Sequence, residues 1–336
     1  MVRVLTGALA LLVSLSCAEA SGTVGKIEFD IAGDRALHVH ALYPAQDGGN
    51  AVAFGGNEVW TSYPVQVGAR PAGTGHPLVV MSHGMFGNRF NQTWLATRLA
   101  RAGYVVLATD HPGTSTWSRE AELSRQLWER PRDIGRVIDG FLASPAHAAA
   151  VDTGSIYAIG HSLGGFTVLA AAGARFDLDR YAEVCGQNPQ AAGCTAFEKL
   201  GVGPDDRAGW ETDTAEPRLR AVVALDPGGT QGFTEASLGR MDVPVMMIAG
   251  GRTPEIVDRA DEAGRIAALL PPEKLRYLPL DEAGHFDFLG TCTENGLEIL
   301  REQEPDDVFV CERGTEERER LHERIAAEII AFLEAH

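Results

Sequence analysis

From residue 77 onward, short apolar runs alternate with stretches whose apolar residues recur at helical spacing. "PLVVMSH" (77–83), "YVVLATD" (104–110), "GSIYAIG" (154–160), "LRAVVALD" (219–226), "VPVMMIAG" (243–250) and "KLRYLPL" (274–280) are β-branched-rich runs of the length and character of strands buried on both faces. Between them, 91–103, 119–144, 163–174 and 255–270 carry the helical pattern, the second interrupted at Pro131. Strand alternating with helix predicts a mostly parallel sheet covered by helices on both faces. Earlier, 26–45 alternates as one or two strands turning at Gly33-Asp34, and the Gly-, Pro- and Ala-rich stretch up to Gly75 reads as loop. The last helix, 316–336, has Leu321, Ile325, Ile329 and Leu333 spaced by four, a stripe expected to lie on the sheet. The pattern lapses at 176–217, which is polar and broken by Gly and Pro, and is expected to be an inserted cap.

The extreme N-terminus changes the reading of the rest. Arg3, an apolar run over 4–15, and Ala18-Glu19-Ala20 form a secretory signal peptide pattern, so 1–20 is expected to be removed, leaving 21–336 as one domain. A lipoprotein signal through Cys17 is disfavoured by Ser14, where leucine is usual, and the run is shorter than the ~20 residues that span a bilayer. The protein is therefore expected in the periplasm or outside the cell. Export leaves four cysteines, and pairing neighbours, Cys185 with Cys194 and Cys292 with Cys311, is the simplest arrangement for an oxidising compartment. No Cys-x-x-Cys spacing supports a metal, and none is expected. A formal net charge of -17 makes nucleic acid and anionic membrane surfaces poor partners, because phosphate binding draws on clustered Lys and Arg.

Candidate chemistry centres on "GHSLGG", where Ser162 stands between a predicted strand and a predicted helix. A nucleophilic serine needs that sharp turn, with glycines on either side, to hold its hydroxyl above the sheet edge. The turn puts the Leu163 N–H at a helix start, where it could stabilise an oxyanion; "SHGMFGN" offers Met85 N–H as the second donor. The base must follow the last strand, and His285 in "DEAGHFDF" fits, while His322 and His336 read as surface residues. Asp226, at the tip of "VVALD", is favoured as the acid over Asp258, with Glu255, Asp281 and Glu282 as further alternatives. His38 and His40 read as a solvated strand face. Phe86, His111, Trp117 and Phe233 are candidate substrate contacts, since each follows a strand at the same sheet edge.

The motifs "ALYPA", "SHGMFGNRF", "ARAGYVVLATDHPGTS", "RPRDIGRVIDGF", "IGHSLGGFTVLAAAG", "RAVVALDPG" and "EAGHFDF", in that order over most of 37–290, resemble the platelet-activating-factor acetylhydrolase branch of the α/β-hydrolases and the predicted dienelactone hydrolases. The resemblance implies an α/β-hydrolase fold and a cofactor-free serine esterase acting on a small-molecule ester through an acyl-enzyme, with Ser162, Asp226 and His285 as triad. Short- or medium-chain and aromatic esters, phthalate-type among them, are the substrates it suggests; a lipase, a cutinase-like polyester hydrolase or a phospholipid acetylhydrolase are alternatives with the same triad. Dienelactone hydrolases proper use cysteine where this chain has Ser162, and the lipid-docking helices of the animal acetylhydrolases have no counterpart in its pattern.

Overall fold

A computed structural model describes residues 22–253 and 255–336; the signal-peptide expectation for 1–20 falls outside them. The strands are β1 (Thr23–Ile31), β2 (Leu37–Ala45), β3 (Asn50–Phe54), β4 (Tyr63–Val67), β5 (His76–Ser82), β6 (Val105–Thr109), β7 (Val151–His161), β8 (Leu219–Leu225), β9 (Val245–Gly250) and β10 (Leu275–Leu280). They form one sheet in the order β10-β9-β8-β7-β5-β6-β2-β1-β4-β3. From β5 to β10 all neighbours run parallel, and β2 closes that block antiparallel to β6. The segment expected to be loop up to Gly75 contains β3 and β4, an antiparallel pair added at the edge. Its alternation is hidden because all of Asn50–Ala53 is exposed, so no apolar face marks it.

Alternate residues of the central strands feed two cores. Leu78 and Val80 face the helices Glu129–Leu142 and Leu163–Ala171, whereas Val79 and Met81 face Thr93–Arg101 and Thr315–Glu334. Leu321, Ile325, Ile329 and Leu333 are all buried there, as their spacing requires. Pro131 does not interrupt its helix. It occupies the first turn of Glu129–Leu142, where a missing N–H leaves no bond unmade.

Residues 176–217 form helices Leu178–Gln187, Ala192–Lys199 and Arg207–Trp210. They are less polar inside than the sequence suggests. Phe176, Phe197 and Trp210 are buried and pack with Phe166 and Phe233 in one aromatic cluster. Cys185 and Cys194 join the first two of these helices, and Cys292 and Cys311 close the segment before the C-terminal helix Thr315–Glu334, so both expected pairs form. The second bridge closes 19 residues around a small core of Leu289, Leu300 and Val310. A loop of that size loses about 3 kcal/mol of chain entropy on crosslinking. Cys292→Ser with Cys311→Ser is thus expected to lower the urea midpoint of the oxidised protein markedly; an unchanged midpoint would show the bridge to be energetically idle.

Candidate active site

The site sits where β5, β7 and β8 end. Ser162 follows β7 with φ 57 and ψ -120, a conformation that a non-glycine residue adopts only under local constraint. The constraint is close packing: a Cβ on Gly160 would lie 1.9 Å from the Gly164 carbonyl oxygen, and one on Gly164 would lie 2.0 Å from that of Ser82. Only glycine on both sides lets the turn press this tightly on β5.

Ser162 Oγ–H donates to His285 Nε2 at 3.0 Å, and His285 Nδ1–H donates to Asp226 Oδ2 at 2.6 Å. The other carboxylate oxygen of Asp226 accepts from Gly250 N–H at 2.7 Å. Asp226 and His285 are buried, and Asp226 itself has φ 42. Asp258, by contrast, is exposed and accepts from the Ala260 N–H, capping the turn it begins. Asp281 and Glu282 are exposed and pair with Arg259 and Arg324. Glu255 is exposed too. Of the carboxylates weighed, Asp226 is therefore the one the fold brings to His285. Among the described residues the N–H groups of Met85 and Leu163 donate to no protein acceptor, and Gly84 lies against Ser162. Phe86, next to Met85, has φ 56. The non-glycine residues with positive φ among those described are Phe86, Ser162 and Asp226, all at this site.

Against the Met85 turn opens a groove of about 1020 Å³ lined by Phe54, Trp60, Phe86, Phe90, Trp117 and Phe286, among others. Phe86 and Trp117, two of the candidate substrate contacts, line it; Trp117 stands 59% exposed at the rim. No residue of 176–217 lines this groove, so the expected cap does not form its wall. Its walls come from the β3–β4 edge, the turn after β5 and the loop closed by Cys292–Cys311, whose Phe309 packs 4.6 Å from Phe286.

Two expected contacts are corrected. Phe233 is fully buried in the aromatic cluster, stacked at 4.9 Å on Phe166. His111 is also fully buried, its Nδ1 bonded to Asp133 and its Nε2 to Ser82 Oγ, both at 2.9 Å. His40 and His322 are corrected as well: His40 is buried between Phe54 and Phe90, and His322 stacks at 3.7 Å on Trp94. His38 is exposed, against Asp30, and His336 is exposed at the end of the last helix, as expected of it. Sequence reasoning missed two supporting residues. His161 donates from Nε2 to the His285 carbonyl at 2.9 Å. Glu262, in the π-helical turn Ala260–Gly264, accepts from Gly229 and Thr230 N–H and pins the loop after Asp226. Burial pushes the Glu262 carboxyl up. The only legible trace was a glutamate on the apolar side of a helical pattern. Among the described residues no cluster of three His, Cys, Asp or Glu is arranged to hold a metal ion.

A sequence profile described as the Alpha/beta hydrolase family matches residues 79–294, more than half of the chain. The chain belongs to the alpha/beta hydrolase family. A solved ferulic acid esterase from Streptomyces cinnamoneus shares the fold with a TM-score of 0.64 at 20% identity, over 96% of this hydrolase and 92% of that chain. No curated protein matches the hydrolase by sequence.

The buried histidines of this hydrolase give it an acid limit. Burial lowers His40, His111 and His322 to about 3, and with burial the charges of Arg130 and of His285 lower His83 and His161 respectively. Unfolded, each imidazole takes up a proton near pH 6.5; folded, it stays neutral to far lower pH. The unfolded chain thus holds more protons in that window, and stability falls as pH drops below 6.5, by up to about 1.4 kcal/mol per unit for each group. Urea midpoints should decline steeply from pH 7 to pH 5. A flat profile would mean that these rings are charged in the folded protein.

Proposed function

We propose that the protein is a serine carboxylic-ester hydrolase working through an acyl-enzyme. The observation that carries this reading is the continuous Ser162–His285–Asp226 relay facing two unengaged N–H donors. His285 Nε2 takes the Ser162 proton as Oγ attacks the ester carbonyl, and the oxyanion accepts from Met85 and Leu163 N–H. Asp226 stabilises the imidazolium, which protonates the leaving alcohol. Water, deprotonated by His285, then releases the acid and restores Ser162. No cofactor enters these steps.

The groove does not include Ser162 or His285 in its lining but meets the site at Met85 and Phe286, and its aromatic walls favour esters with an aryl or other flat apolar group. The ferulic acid esterase that shares the fold is, by its name, an enzyme of aromatic esters. The motifs from "SHGMFGNRF" to "EAGHFDF" favour the platelet-activating-factor acetylhydrolase and dienelactone hydrolase-like branch within the family. Export is supported by the two disulfides, and cleavage after Ala20 by the Ala18-Glu19-Ala20 pattern alone.

A panel of aryl, phthalate, short-chain, long-chain and phospholipid esters tests this reading. Aryl and short-chain esters should give the highest kcat/KM, and a fluorophosphonate should label Ser162 stoichiometrically. Preference for long-chain emulsions would favour a lipase, and failure of the label would refute the nucleophile.

A further inference from the structure

Behind the turn that carries Met85 lies a chain of buried polar contacts that the triad does not use. Met85 N–H is one end of the Gly84–Met85 peptide; the other end, the Gly84 carbonyl, accepts from His83 Nδ1–H at 2.7 Å. The peptide is trans, so its C=O and N–H point in opposite directions. An imidazole fixed on the carbonyl therefore aims the N–H away from itself. The same unit presses on the nucleophile: a Cβ on Gly84 would lie 3.5 Å from Ser162 Oγ. His83 Nε2 accepts from the His111 backbone N–H at 3.0 Å, which leaves the ring proton on Nδ1, where the Gly84 carbonyl needs it.

The main chain of His83 is held as well. Its carbonyl accepts from Arg130 Nη2, and the same guanidinium donates to Thr114 Oγ1 at 2.5 Å, Thr167 Oγ1 at 2.9 Å and Ser82 Oγ at 3.3 Å. Each partner belongs to a different part of the site. Thr114 supplies the carbonyl that takes Phe86 N–H at 2.8 Å, and Thr167 lies on the helix that begins at Leu163. Arg130 is fully buried, and none of its hydrogen bonds among the described residues goes to a carboxylate. Asp133, three residues on, is taken by Arg35, Arg136 and His111. The guanidinium thus leaves a positive charge beneath the turn and ties both candidate donors to one rigid group.

We propose that His83 and Arg130 are positioning residues for the oxyanion step, His83 by orienting and polarising the Gly84–Met85 peptide and Arg130 by locking the segments that carry both donors. Hydrogen bonds in series strengthen one another, so a donor on the Gly84 oxygen makes Met85 N–H a better donor where negative charge develops. The proposal rests on the esterase reading above.

The test compares His83→Leu with His83→Asn, whose side-chain amide can replace the Nδ1–H, and adds Arg130→Lys. The measurements are kcat and KM on an aryl acetate per fluorophosphonate-titrated site, and Ki for an aryl trifluoromethyl ketone, which forms a tetrahedral adduct on serine. His83→Leu should lose about 100-fold in kcat with KM within about twofold, the scale of a lost oxyanion donor. Its ketone Ki should rise in proportion, while His83→Asn should stay within about fivefold of wild type and Arg130→Lys lose about tenfold. Should His83→Leu or Arg130→Lys not fold, Thr114→Val, which removes one acceptor of Arg130, carries the test with an expected drop of about three- to tenfold in kcat and a matching rise in Ki. Equal losses in His83→Asn and His83→Leu, or a kcat loss with ketone affinity unchanged, would overturn the proposal. A wild-type protein that neither hydrolyses esters nor takes the fluorophosphonate would overturn the esterase reading itself.

Discussion

Ser162→Ala should abolish ester hydrolysis, with kcat down by about 10⁴- to 10⁶-fold and the fold intact. The size follows from how the site divides its labour. Without Oγ no acyl-enzyme can form, and what remains is water attack helped by the Met85 and Leu163 N–H groups. Stability should barely move, since the Oγ hydrogen bond to His285 is the hydroxyl's main contact and alanine accepts the same φ no worse than serine. Progress curves on p-nitrophenyl acetate together with urea midpoints check both halves. Turnover near the wild-type level in a correctly folded variant would remove Ser162 from the mechanism.

Asp226→Asn should cost about 10⁴-fold in kcat, although it changes one atom. Gly250 N–H binds Oδ1, so an asparagine keeps its oxygen there and turns its NH₂ toward His285 Nδ1. The ring must then carry its proton on Nε2, facing Ser162, and cannot accept another. Asp258→Asn is the matched comparison. That carboxylate only caps a turn, so its loss should leave kcat within about twofold and lower stability by at most about 1 kcal/mol. A silent Asp226→Asn beside an inactive Asp258→Asn would move the acid to Asp258.

What was legible in the sequence was local or ordered along the chain. Buried parallel strands announce themselves by unbroken apolar runs, and Ser162, Asp226 and His285 each stand just past such a run, so their convergence at one sheet edge follows from topology. What was illegible depends on distant packing. His111 and Phe233 occupy positions that look like a pocket rim; whether they face a ligand or the core was decided by Asp133 and Phe166, which lie far along the chain. The groove was hidden for the same reason. It joins segments near 54, 86, 117, 286 and 309, whereas 176–217, the most conspicuous irregular stretch, spends its aromatic residues on its own attachment to the core.

The unusual backbone at Phe86, Ser162 and Asp226 also sets how this enzyme could be made hardier. Strain of that kind costs on the order of 1–3 kcal/mol per residue, and glycine would release it. A laboratory search for higher melting temperature would find glycine attractive at all three positions, yet at 162 and 226 the gain would delete the proposed nucleophile and acid. Phe86→Gly alone leaves the chemistry in place, at the expense of a groove wall and of the ring on which the Arg119 guanidinium rests 4.7 Å away. Heat tolerance gained there should therefore appear as relaxed substrate selection.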